Sequence, residues 1–95
     1  MASDVHAAAL RAIDKLLAER PEKVGPDFSS ATSLLVALRD SQIARWRHSN
    51  AEPDRQRLAS INSVLSVVIG GHFPLGGIPW PQIEKAREVL ASLAE

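Results

Sequence analysis

The chain has 95 residues, with 11 basic and 11 acidic side chains and no cysteine. That length supports one modest core, and the balanced charge supplies no global field to draw in nucleic acid or an anionic membrane. Without cysteine, disulfides, thiolate metal sites and cysteine nucleophiles are excluded.

Four segments carry helical periodicity, and turn-forming residues separate them. The first is predicted over about 4–20. Val5, Ala9, Ala12, Ile13, Leu16 and Leu17 share one face, Ser3 or Asp4 is placed to cap the N-terminus, and Pro21 stops the helix.

The second is predicted over about 29–48, after the turn Gly25-Pro26-Asp27. Asp27 or Ser29 is its expected cap. Phe28, Ala31, Leu34, Leu35, Leu38 and Trp46 form its stripe, and Asn50 suits the left-handed residue that ends a helix. Gln42 interrupts the stripe. A polar side chain there must find hydrogen-bond partners, and Asn62 or Ser66 of the next helix are the expected ones.

The third is predicted over about 53–69. Pro53 suits its first turn, and Gly70 is expected as its left-handed C-terminal residue. Leu58, Ile61, Val64, Leu65, Val68 and Ile69 cover more than half of its circumference, while Ala59, Ser63, Ser66 and Gly70 make a separate strip of small residues. A helix this apolar is either central in the domain or buried by a second copy.

The fourth is predicted over about 81–94. Ile83, Ala86, Val89, Leu90 and Leu93 form its apolar face, and Pro81 presets its first turn. Together these segments predict an all-α single domain over residues 1–95, an antiparallel four-helix bundle with an ordered Gly/Pro-rich connector before the last helix.

That connector, residues 70–81, holds four of the five glycines and three of the six prolines. Helix–helix links in bundles usually run about 2–8 residues. Its apolar side chains Phe73, Leu75, Ile78 and Trp80 either seal one end of the bundle or form a docking surface for a protein partner. His72 is placed to cap the carbonyls at the end of the third helix. The motif is not a phosphate-binding loop, because the lysine and Ser/Thr of that loop are missing.

Arg39, Arg45, Arg47, Arg55 and Arg57 gather around the link between the second and third helices, with His48 and Trp46 among them. Arginine beside an aromatic is a composition that contacts phosphate and bases, so this cluster is the alternative functional candidate, for an anion or nucleic acid. Interleaved Asp40, Glu52 and Asp54 weaken that reading by offering ion pairs, and the third helix lacks the polar surface of a recognition helix.

His6, His48 and His72 show no spacing that would put two metal ligands on one helical face, so no metal site is expected. A buried, backbone-bonded role is expected for His6. No Gly-x-Ser-x-Gly elbow is present, and the acidic residues sit at solvated helical positions. No enzymatic activity and no cofactor are expected. No apolar run approaches the roughly 20 residues of a membrane span, and no leader-like segment opens the chain. The composition therefore predicts a small cytoplasmic helical interaction or adaptor protein, paired with another protein or with itself as a homodimer, with no membrane partner.

Overall fold

The computed structural model describes residues 2–72 and 77–93, apart from the side chains of residues 2–4 and 72. It contains four helices: α1 (Ala2–Glu19), α2 (Pro26–Ser49), α3 (Glu52–His72) and α4 (Trp80–Ser92). No strand occurs among the described residues. Each helix packs on two others, α1 on α2 and α4, and α3 on α2 and α4. The molecule is 41 Å long, close to the roughly 36 Å that the 24 residues of α2 span at 1.5 Å each.

Neighbouring helices run antiparallel. Along α1, His6, Asp14 and Arg20 meet Leu90, Arg87 and Glu84 of α4, so one helix ascends as the other descends. One core draws on all four helices. Ala9, Ile13 and Leu16 come from α1, and Phe28, Ala31, Leu35 and Leu38 from α2. Ile61, Val64, Leu65 and Val68 come from α3, and Ile83, Ala86 and Leu90 from α4. These are the residues that the 3.6-residue period places on the inner faces.

The helix ends depart from expectation in instructive ways. α1 already includes Ser3 and Asp4, so neither caps it from outside. It ends one residue before Arg20, which takes a left-handed φ of 41° ahead of Pro21. A residue preceding proline is pushed out of the α region, and Arg20 compensates locally. Its amide bonds the Leu16 carbonyl at 2.7 Å and its Nε donates to the Leu17 carbonyl at 3.1 Å.

α2 begins three residues before the predicted start, because Pro26 itself occupies the first turn. Gly25 is the capping position and supplies no side chain, so Asp27 and Ser29 lie inside the helix rather than capping it. Asp27 instead sits where a carboxylate favours the positive end of the helix dipole. The end of α2 matches the prediction. Asn50 adopts φ 52° and ψ 22°, and its amide bonds the Trp46 carbonyl at 2.7 Å.

The largest correction concerns Gly70. No described glycine has a positive φ, and α3 continues through Gly70 and Gly71 to His72. Gly71 serves packing rather than termination. A β-carbon on Gly71 would lie 3.1 Å from Phe28 Cε1 and 3.2 Å from Ile83 Cδ1, so the missing side chain lets α3 approach α2 and α4. A β-carbon on Gly70 would meet nothing within 4 Å.

The two positions are therefore expected to respond oppositely to alanine. Gly70→Ala should raise stability by about 0.5–1 kcal/mol through helix propensity. Gly71→Ala should lower it by about 1–2 kcal/mol, because Phe28 and Ile83 are fully buried and have no room to retreat. Urea midpoints measured at low protein concentration check both signs.

α4 starts at Trp80, one residue before Pro81, with Pro79 as its capping position. The Ile83 amide closes the first turn on the Pro79 carbonyl at 3.1 Å. Arg20 ties this turn to the end of α1. Its guanidinium pairs with Glu84 and lies 5.8 Å from the centre of the Trp80 ring. A cation at the C-terminal end of α1 and a carboxylate in the first turns of α4 both complement the helix dipoles.

Candidate functional site

The outer side of α3 is uncharged over most of its length. Leu58 to Gly71 contains no Asp, Glu, Lys or Arg. Its exposed positions are Ala59, Asn62, Ser63, Ser66, Ile69 and Gly70. The predicted strip of small residues thus lies on the surface as a low ridge. Ile69 lies near one edge of this ridge, and Val67, half-buried, lies on the other.

Beyond Val67, α3 and α4 leave a groove of about 200 Å³ lined by Ser63, Val64, Val67, Gln82, Lys85, Ala86 and Val89. Ile69 and Val89 are the large apolar side chains left exposed among the described residues, at 39% and 40%. The apolar stripes of α3 and α4 included both. The structure places them outside the core because each lies at the edge of its stripe, roughly a quarter-turn from the buried centre.

The predicted docking residues divide. Ile78 and Trp80 are half-buried and pack against the core, and the Trp80 ring centre lies 6.0 Å from that of Phe28. Phe73 and Leu75 fall outside the described residues, as does the side chain of His72.

The arginine cluster is brought together around the α2–α3 hairpin, but it arrives with partners. Arg39 pairs with Asp40 at 3.1 Å, Arg45 with Asp54 at 3.2 Å, and Arg55 with Glu52. Arg57 donates to Oε1 of Gln42. Arg47 is exposed beside Asp40, Ile43 and Ala44. Surface ion pairs of this kind contribute little to stability individually, yet they neutralise the charge that a phosphate backbone would need.

Gln42 is fully buried, as its place in the stripe predicted, but its partners are not Asn62 or Ser66, which both face outward. Its Nε2 donates to the Asp54 carbonyl at 2.8 Å while its Oε1 accepts from Arg57. Residue 42 stands near the α2–α3 link, level with the first turns of α3 rather than its middle. Sequence periodicity gives the face of a residue but not the height of its neighbour across a hairpin.

Asp54 is the acidic centre of this end. The Ser49 hydroxyl donates to its carboxylate at 2.5 Å, and Arg45 pairs with it. The hydroxyl bond first, and then the Arg45, Gln42 and Arg57 groups, hold its pKa below the ordinary value of 3.8. Glu52 is lowered likewise, chiefly by its hydrogen bond with Arg55.

A carboxylate with a lowered folded-state pKa contributes stability above its ordinary value and loses that contribution as pH falls through the folded value. Stability is therefore expected to fall on acidification through the region below about pH 4. Asp54→Asn should flatten that part of the profile. Thermal melts between neutral pH and about pH 3 check this, and an unchanged acid limb in Asp54→Asn contradicts it.

His6 is buried at 7% exposure and its Nε2 lies 2.8 Å from the Leu90 carbonyl, the backbone-bonded role expected of it. Among the described residues, no three of His, Cys, Asp and Glu come together in a group that could hold a metal ion, and no helix is long and apolar enough to cross a membrane. No family model, curated protein or solved structure matches this chain.

Proposed function

We propose that this chain is a small helical interaction protein whose immediate partner is a second copy of itself. The observation that carries this reading is the uncharged outer side of α3, with Ile69 and Val89 exposed at its borders. A face that combines apolar side chains with no charge over fourteen residues gains from being covered, whereas a solvated helix face normally carries charge. The arginine cluster is the weaker basis for a function, since Arg39, Arg45 and Arg55 already pair with carboxylates.

The test is mass in solution. Light scattering coupled to size exclusion is expected to give about twice the chain mass of 10.3 kDa. A strictly monomeric species at roughly tens of micromolar removes the homodimer.

A further inference from the structure

We infer that α4 is a detachable strap. It lifts as a unit from a core kept by α1, α2 and α3, and two ion pairs along α1 latch it in a salt-dependent way. The inference goes beyond the homodimer reading and does not depend on it.

α4 is the shortest helix, with 13 residues against 18, 24 and 21. Its buried residues are Ile83, Ala86 and Leu90, one of them only an alanine. Burial stabilises in proportion to apolar area, so α4 has little to hold it. Its ends add nothing: Pro79 supplies no side-chain cap, the first turn has no acidic residue and the last turn no basic one. An isolated helix of about 12–15 residues is marginal in water, so α4 melts once it leaves the bundle. The rest keeps its packing. α1 and α3 each still lie on α2, which gives Phe28, Ala31, Leu35 and Leu38 to the shared core.

The two sides of α4 are held differently. Toward α3 the contact is apolar, with Ala86 beside Val64 and Val67 and Ile83 beside Gly71. Toward α1 it is polar. Glu84 pairs with Arg20, Arg87 donates to Asp14 at 2.7 Å, and His6 Nε2 lies 2.8 Å from the Leu90 carbonyl. Residues 84, 87 and 90 are three apart, so these contacts form one line along the helix.

Both ion pairs are about half exposed, so salt reaches them. Each such pair shifts an equilibrium by a factor of about 1.4–5. The Debye length falls from about 10 Å at 0.1 M salt to about 3 Å at 1 M, which removes most of that factor. From Leu58 to Gly71, α3 has no Asp, Glu, Lys or Arg to replace the latch from the other side.

Lifting α4 uncovers Val64 and Val67, the Gly71 backbone and the side of the Phe28 ring that faces Trp80. Those groups line an apolar slot shaped for a helix with the spacing of Ile83, Ala86 and Leu90. The strap keeps this slot closed at low salt and frees it as the latch is screened.

Native-state amide exchange, corrected for intrinsic rates and run at one protein concentration, tests this. At 0.1 M NaCl, residues 86–90 are expected to exchange at least about tenfold faster than residues 35–38 in the middle of α2. Raising NaCl to 1 M should widen that ratio by at least about threefold. The double variant Glu84→Gln, Arg87→Gln changes exposed side chains and keeps the net charge. It should exchange fast in α4 already at 0.1 M, lose the salt response and leave residues 35–38 unchanged. Equal exchange in α4 and α2 at both salt concentrations overturns the strap, because α4 then opens only with the whole bundle. Faster exchange in α4 with the same salt response in wild type and variant overturns the latch.

Discussion

Phe28→Ala is expected to destabilise the protein by about 3–5 kcal/mol, the range for emptying a buried aromatic site. Phe28 is fully buried at the start of α2. Its ring lies beside the backbone of Gly71 on α3 and near Trp80 on α4, so three helix ends converge on one side chain. The void left by alanine has little to fill it. Gly71 has no side chain, and Trp80 is held by packing on the core and by the Arg20 guanidinium over its ring.

A domain of this size has about 5–14 kcal/mol of stability in total, so the loss would be at least about a fifth of it. The urea midpoint should fall with little change in slope. Phe28→Leu, which keeps most of the volume, should cost only about 1–2 kcal/mol. Trp80→Ala should fall between the two, because Trp80 is only half-buried. A Phe28→Ala loss below about 1 kcal/mol would mean that this end of the bundle is far looser than its packing implies.

That convergence also explains which parts of the fold were legible in the sequence. Ala9, Ile13, Leu35, Ile61 and Leu90 were legible as core because burial follows a period that can be read within one helix. Asn50 was legible because its left-handed conformation is a local preference.

Gly70 was misread as the end of α3, and the role of Gly71 was missed, because glycine answers two different needs, a positive φ or a close approach. The sequence around them does not say which. The answer lies in Phe28 and Ile83, forty-three residues before Gly71 and twelve after it. Pro26 and Gly25 displaced the expected Asp27 cap for a related reason: a preset proline φ can open a helix without a capping side chain.

The candidate site was legible in part. Ala59, Ser63, Ser66 and Gly70 stood out as a small-residue strip. That Ile69 and Val89 would stay outside the core depended on how far the neighbouring helices reach around α3 and α4. Those limits are set by crossing geometry, which no single helix encodes. The arginines were legible as a cluster, but their neutralisation was only partly so. Arg39–Asp40 and Glu52–Arg55 are local pairs, whereas Arg45–Asp54 and Arg57–Gln42 exist only because the hairpin closes.

Gln42 gives the second large effect. Gln42→Ala is expected to cost about 2–4 kcal/mol. Part of this is lost packing at a fully buried position, and part is the loss of the donor to the Asp54 carbonyl and of the acceptor for Arg57. Gln42→Leu separates the two contributions. It keeps most of the volume and removes both hydrogen bonds, so it should cost about 1–2 kcal/mol if the polar contacts stabilise the hairpin.

The alternative is physically reasonable. Replacing a buried polar group with an apolar one of similar shape is sometimes neutral or stabilising, and the polar group then serves specificity rather than stability. The geometry here favours a real cost, because the Asp54 carbonyl stays in place after the substitution and belongs to a turn already crowded by Ser49 and Arg45. A double-mutant cycle between Gln42→Leu and Arg57→Ala should show coupling of about 1 kcal/mol, as expected for side chains in direct contact. If Gln42→Leu is as stable as the wild type and the cycle is additive, Gln42 contributes nothing to holding α2 on α3. Its role would then be to set the height at which the two helices meet, which amide exchange at the hairpin end would register as faster opening without a change in global stability.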